Sequence, residues 1–418
     1  MSLADKASLL LIPTGYKSQK VYSIFPTDGV GDFDFSRSSS ATRIAKNGLI
    51  TTVAANVPRL EYPMIDGVVS GCPSLILEGA RTNLIQYSED FSNAYWTKSG
   101  ASVTSGFISP SGDLSAFKLV ENTGTVEHYT KRSMANPTGF YTWSLFVKSG
   151  ERKYIVFRTN ADGGTYKNAC FDVESGTIVY DGLHQSKAEI QSFNNGWFRV
   201  SAYVKETSGT TRNYQIHISD SPIIDNGAIS YTGDGTSGLY LYAAQLESGS
   251  YPTSYIPTSG SIVTRLADSC NNGGNASTFN DSEGVLYAEI SALANDSTNR
   301  IISISDGSGS NRVLVKFDNS SNLIQGTCTV GTDQAELSFS TDITLNNKIA
   351  FKYKANDFAL WVNGTKVATD LVGVTPSGLD TLNFDNGSGG SPFYGKAKDV
   401  RVYNTALTDQ ELQALTQV

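Results

Sequence analysis

Four tryptophans, 21 tyrosines and 19 phenylalanines are spread through this 418-residue chain, alongside abundant Ser, Thr and Asn. Flat rings beside amide, carboxylate and guanidinium groups suit a polyhydroxylated ligand. The ring takes an apolar C–H face while the polar groups bond the hydroxyls. The side chains that fit this chemistry are Trp96, Tyr129, Trp143, Tyr154, Arg158, Tyr166, Trp197 and Trp361. Trp143 and Trp361 lie inside alternating runs and are expected in a core, because large aromatics bury heavily. Trp96 and Tyr166 lie in turn-rich stretches, where binding residues concentrate. The candidate binding set is therefore Trp96, Tyr129, Tyr154, Arg158 and Tyr166.

Bond-breaking chemistry finds less support. The three histidines, His128, His184 and His217, are scattered, and no Gly-x-Ser-x-Gly elbow accompanies them. His217 alternates with Ile216 and Ile218, so it is expected to face outward from a strand. Gly233-Asp-Gly-Thr-Ser-Gly238 has the letters of a dinucleotide fingerprint, but a strand pattern follows it where a helix must stand. Gly390-Ser-Pro-Phe-Tyr-Gly-Lys396 approaches a phosphate loop but continues with Ala397 and another strand pattern. A glycosidase needs only two carboxylates at the right separation, and 40 acidic residues supply many pairs by chance. The repeats that typify polysaccharide depolymerases are absent. A non-enzymatic chain is expected, with depolymerase as the lesser alternative. Asp162, Asp234, Asp306 and Asp385 sit in loop patterns and make calcium possible, although Asp-Gly pairs usually serve turns.

The composition limits the partners. The net charge is −8, and no Lys/Arg run exceeds two residues, so nucleic acid is not expected. No apolar run reaches the roughly 20 residues that cross a bilayer. The start, Met-Ser-Leu-Ala-Asp-Lys, has no basic region and no signal-length apolar run. Cys72, Cys170, Cys270 and Cys328 are far apart and form no zinc motif, so free thiols are expected.

The elements that must position these groups are strands. Regular runs occur at 116–120, 141–147, 154–157, 197–204, 214–218 and 238–247, and again at 284–290, 300–304, 312–317, 348–353, 358–362 and 399–403. Gly- and Asn-rich turns separate them, which predicts an all-β chain with two antiparallel β-sandwich, or jelly-roll, modules. Asn47-Gly48 and Asn363-Gly364 mark tight hairpins. Thr408-Asp-Gln-Glu411 is a capping box ahead of one short helix carrying Leu412 and Leu415. Residues 1–85 differ. They offer a short helix or extended arm at Leu3–Ile12, and a strand that turns Phe33 and Phe35 inward. They also carry Pro58, Pro63 and Pro73. Such a segment cannot easily bury a core of its own and is expected to wrap, or to pair with other chains. The division is 1–85 attachment segment, 86–268 first sandwich, 269–282 linker around Asn271-Asn-Gly-Gly-Asn-Ala-Ser277, and 283–418 second sandwich.

Several long motifs resemble a known family. Gly31-Asp-Phe-Asp-Phe-Ser-Arg-Ser-Ser-Ser-Ala-Thr-Arg43, Asn56-Val-Pro-Arg-Leu-Glu-Tyr62, Cys72-Pro-Ser-Leu-Ile-Leu-Glu-Gly-Ala-Arg-Thr-Asn-Leu84, Glu247-Ser-Gly-Ser-Tyr-Pro-Thr-Ser-Tyr-Ile-Pro257 and Val263-Thr-Arg-Leu-Ala-Asp268 resemble fibre and tail-associated virion proteins of bacteriophages, crAss-like phages among them. The resemblance spans about residues 10–270. It implies a virion protein on head or tail that folds in the bacterial cytoplasm. It further implies homotrimers, docking to capsid or tail proteins through residues 1–85, and a carbohydrate-binding-like module that meets host-surface glycans. Separately, Phe358-Ala-Leu-Trp-Val-Asn-Gly-Thr-Lys366 and Gly395-Lys-Ala-Lys-Asp-Val-Arg-Val-Tyr-Asn-Thr-Ala-Leu-Thr408 resemble laminin-G/concanavalin A-like domains. A purely structural capsid decoration or collar protein is the competing expectation.

Overall fold

The structure is a computed structural model describing residues 2–183 and 187–418, so His184 lies outside the described residues. It is almost entirely β, and the pairings between its strands are antiparallel. No described helix is long and apolar enough to cross a membrane.

The second sandwich places Glu283–Ala292, Asn347–Lys354, Phe358–Val362, Thr365–Asp370 and Gly395–Tyr403 in one sheet. Arg300–Ser305, Asn311–Phe317, Leu323–Val330, Thr332–Ser340 and Thr381–Asn383 form the facing sheet. Alternation sends Val313, Val315 and Phe317 into the interface, where they are fully buried with Phe351 and Leu360. Each such side chain contributes about 1.5–3 kcal/mol of burial. Gly326 sits mid-strand because the facing sheet leaves no room: a Cβ there would come within 2.4 Å of the Phe351 ring. At the Asn363-Gly364 turn both residues have positive φ (50° and 83°), as a tight hairpin between Val362 and Thr365 requires. Thr408 caps the helix Asp409–Thr416 with Glu411 in a capping box, and Leu412 and Leu415 pack against Trp361 and Tyr287.

The first sandwich pairs a sheet of Thr97–Ser99, Thr125–Met134, Arg212–Ser219, Tyr154–Thr159, Lys167–Asp172 and Thr177–Asp181 with a second sheet. That second sheet contains Ala101–Phe107, Ala116–Glu121, Gly238–Ser248, Gly139–Ser149, Trp197–Glu206 and Glu189–Ser192. Their inner faces meet at Trp143, Leu145, Phe157, Phe171 and Ile216. The Trp143 ring stacks on Phe157 at 4.2 Å.

The N-terminal segment obtains its core by joining the second sandwich. Instead of a helix or free arm, Ala4–Lys6 makes one 3-10 turn and Leu9–Leu11 forms a strand on the outer side of Gly395–Tyr403, with Leu9 opposite Val402. Ser74–Leu77 pairs further along that same strand, with Leu75 opposite Ala397. Leu9, Leu11, Leu75 and Leu77 are buried in the core of the second sandwich. Phe33 and Phe35 point inward while Asp34 and Ser36 are exposed, as the alternation predicts. The stretch 269–282 is not a free linker. Ser269–Asn271 pairs with Phe33–Ser36, and Cys270 is buried opposite Phe35. The backbone groups of this Asn/Gly-rich stretch find partners in strands and loops already present, so it is tied down. The first sandwich is joined to the rest by two paired strands, Arg81–Asn83 and Val263–Arg265, and by Ile44, Ile50 and Met64 packing on Phe146, Phe193 and Trp197.

Candidate ligand-binding surface

Four of the five candidate residues share one surface of the first sandwich, or border it. Strand Arg212–Ser219 lies between Thr125–Met134 and Tyr154–Thr159, and Lys167–Asp172 follows. The register lines up Tyr129, His217, Val156 and Cys170 in one row and Lys131, Gln215, Arg158 and Asn168 in the next. These alternate with Ile216, Ile218, Phe157 and Ala169, which face the core, so both rows face outward.

Tyr129, half-buried, lays its ring over His217 with centroids 4.6 Å apart. Tyr166 lies under the guanidinium of Arg158, 4.7 Å from ring centre to Cζ. Asn213 Nδ2 donates to Tyr166 Oη at 2.8 Å, fixing the ring. Arg158 Nη1 donates to the Gly227 carbonyl at 2.7 Å and faces Glu127 Oε1 at 3.6 Å. The loop carrying Gly227 crosses one half of the surface, where Ile229 packs on Val156 and Cys170 and Ile223 lies near Tyr154. Tyr154 therefore edges a small apolar cluster, Arg158 is held under the loop, and Tyr129, Lys131 and Tyr166 are half-buried at the margins of the surface.

Two expectations need correction. Trp96 is not ligand-facing. It is 1% exposed, stacks on Phe91 at 5.1 Å, and donates Nε1–H to the Tyr87 carbonyl at 2.8 Å. The turns around it close over the end of the sandwich, and the largest ring available fills the gap. His217 faces the outer side, yet it is fully buried because Tyr129 covers it. Trp143 and Trp361 are core, as expected, and Trp197 joins them. Sequence reasoning missed Lys131 and Asn213. Their signal was the every-second-residue polarity of Asn213-Tyr-Gln-Ile-His-Ile218, which marks a polar sheet face.

The surface can hold a ligand by ring stacking and hydrogen bonding. Its histidine is not placed for proton transfer: His217 Nε2 pairs with Gln215 Oε1 at 2.8 Å, and Nδ1 is buried without a partner. Burial pushes the imidazole pKa well below its usual 6.5, with Arg158 adding to the effect. The folded chain thus keeps His217 neutral where the unfolded chain takes up a proton. Stability tied to His217 is intact above pH 6.5 and is lost as the pH falls below it, down to the folded pKa. As the pH falls below 6.5, wild type loses stability that His217→Gln does not lose. Urea titrations of both proteins across that range measure the difference, and parallel profiles would refute it.

The loop acids serve turns. Asp234 Oδ1 accepts from the Thr236 and Ser237 amides, Asp306 Oδ1 from the Ser308 amide, and Asp385 Oδ1 from the Gly387 amide. Asp162 Oδ2 meets Lys167 Nζ at 3.1 Å. Among the described residues, no three His, Cys, Asp or Glu side chains are grouped to hold a metal ion. The four cysteines are free thiols.

The fold is that of an all-β protein with two antiparallel sandwiches. Residues 275–413 match the family model described as the concanavalin A-like lectin/glucanases superfamily. No curated protein matches the chain. Among solved structures, the CBM40 of Ruminococcus gnavus IT-sialidase bound to alpha2,3 sialyllactose is 18% identical. That likeness covers 34% of this chain and 92% of that one, with a TM-score of 0.30. Mouse laminin alpha1 chain domains LG4-5 are 9% identical over 69% of this chain and 92% of that one, with a TM-score of 0.23. Trypanosoma rangeli sialidase is 10% identical over 97% of both chains, with a TM-score of 0.29. These three are distant likenesses.

Proposed function

We propose that this chain is a non-enzymatic adhesive subunit of a bacteriophage particle, a head or tail fibre component that binds host-surface glycans. The observation that carries the glycan part is the Tyr129–Lys131–Arg158–Tyr166 surface, where rings and polar groups alternate on a rigid sheet. The lectin-type family match of residues 275–413 agrees with it. The particle assignment rests on the sequence motifs shared with phage fibre proteins. Homotrimers would multiply a weak site by avidity, without new contacts. Docking to capsid or tail proteins falls to the exposed apolar residues of 1–85, among them Ile65 and Val68, because Leu9–Leu11 and Leu75–Leu77 are already buried. A second reading, a purely structural decoration or collar protein, is favoured by the burial of all four tryptophans.

The test is retention of the purified full chain on host-surface polysaccharides, with Tyr129→Ala and Tyr166→Ala beside wild type. Glycan binding predicts a loss of about tenfold or more in each variant, with a cooperative melt showing that each is folded. Wild type that ignores every polysaccharide, or variants that bind as wild type does, would leave the structural reading standing.

A further inference from the structure

Where the N-terminal segment, the first sandwich and the second sandwich meet, a cleft of about 360 Å³ opens. That volume lies within the range of small-ligand pockets. Its floor is the other outer face of the first sandwich. Strand register sets Phe146, Arg199 and Gln191 side by side in one row, and Ser144, Ser201 and Glu189 in the next. Leu145, Val147, Val200 and Ala202 alternate with them and face the core, so both rows face outward. Ile44 and Ile50 of the N-terminal segment and Leu293 of the second sandwich add apolar wall.

The charges around this cleft are matched. Glu61 Oε1 meets Lys396 Nζ at 3.0 Å. Glu78 is held by Arg59 and Arg265. Arg199 lies among the carboxylates of Glu247, Glu78, Glu61 and Glu189. Arg43 lies over Tyr16, on the strand face away from Thr42 and Ile44. A ligand with a charge of its own finds no opposite charge left over, and the loss of its hydration goes uncompensated.

Unused hydrogen-bonding groups are what the cleft offers. Among the described residues, the Glu189 carboxylate and the Gln191 amide make no hydrogen bond or salt bridge within the chain. Both residues are exposed, on alternate positions of one strand. Gln191 stands directly opposite Arg199, which uses only Nη2, on Ser144 Oγ at 3.0 Å. A carboxylate accepts, a guanidinium donates and an amide does both. A ligand that satisfies all three must donate and accept at neighbouring atoms, as hydroxyl groups do. The Phe146 ring is buried, with the Arg199 guanidinium 5.4 Å from its centre, so it offers no open face for a nucleobase. The aliphatic wall of Ile44, Ile50 and Leu293 suits the C–H faces of a sugar. We infer that this junction cleft binds a short uncharged saccharide, its hydroxyls on Glu189, Gln191 and Arg199. The site stands apart from the outer-sheet surface, and either can fail alone.

The experiment is isoleucine-methyl NMR of the full chain titrated with maltose, cellobiose and lactose. Ile44, Ile50 and Ile76 line the cleft, whereas Ile216, Ile218 and Ile229 underlie the outer-sheet surface. At least one of these neutral disaccharides should shift the cleft methyls. Its uronic-acid and amino-sugar counterparts should bind about tenfold more weakly. Glu189→Ala should weaken binding about tenfold or more, and Gln191→Ala about threefold or more. Both side chains are exposed, and methyl signals unchanged away from the cleft show that each variant is folded. Cleft methyls that respond to none of the disaccharides would overturn the assignment. So would wild-type affinity in both variants, or charged counterparts that bind as tightly as the neutral sugar. Shifts confined to Ile216, Ile218 and Ile229 would overturn it too, and would leave the outer-sheet reading intact.

Discussion

Arg59→Met is expected to cost about 3–5 kcal/mol, the usual penalty for leaving buried carboxylates short of a partner. Arg59 is completely buried. Its Nη1 donates to Glu78 Oε2 at 2.6 Å and to Ser254 Oγ at 2.7 Å, and its Nη2 donates to Asp268. Arg37 and Arg265, also buried, complete a cluster of three guanidinium groups on two carboxylates. The neighbouring arginines overcome the desolvation of Glu78 and hold its carboxyl far below the usual range. Arg59→Met keeps the volume but removes the charge from between Glu78 and Asp268. Arg59→Lys keeps the charge but loses the fork that reaches both acids, so an intermediate loss is expected. Urea denaturation followed by tryptophan fluorescence measures both. A shift below about 1 kcal/mol for Arg59→Met would show that the cluster is not what fastens the parts together.

Removal of residues 2–12 is expected to prevent the second sandwich from folding. The deletion takes Leu9 and Leu11 out of its core and unpairs the strand edge at Val400–Val402. Singly, Leu9→Ala or Leu11→Ala should each cost about 2–5 kcal/mol. Together they approach the whole stability of an ordinary domain. The same reasoning predicts that residues 275–418 expressed alone aggregate, since the Leu9–Leu11 and Ser74–Leu77 strands that cover their last strand would be missing. Soluble, monomeric and cooperatively folding 275–418 would contradict this assignment of the N-terminal strands.

The reason this was hidden in the sequence is physical. Runs such as Val313-Leu-Val and Trp143-Ser-Leu-Phe-Val147 bury one or both faces and display a strand pattern wherever they pair. The choice of partner is not periodic. Leu9–Leu11 is three residues long and carries no signal that its neighbour lies at residue 400. Leu323–Val330 and Thr332–Ser340 escaped notice because Thr, Ser and Gly fill about a third of their positions, and their burial is decided by the opposite sheet. For the candidate surface, strand alternation sufficed to put Tyr129 and Arg158 on an outer face. It could not show that Trp96 is roofed over, because turn residues around a ring look the same whether they expose it or close on it.

The two strands that carry the first sandwich have a mechanical consequence. Arg81–Asn83 runs up to it and Val263–Arg265 runs back, side by side, with Thr82 and Thr264 hydroxyls 2.8 Å apart. Any pull on that sandwich divides between two legs drawn in the same direction, so the legs do not shear against one another. At their feet, Arg265 grips Glu78 and the Gly79 carbonyl. The tether therefore yields only when both legs are dragged from that buried ionic clamp and Ile44, Ile50 and Met64 are stripped from Phe146, Phe193 and Trp197.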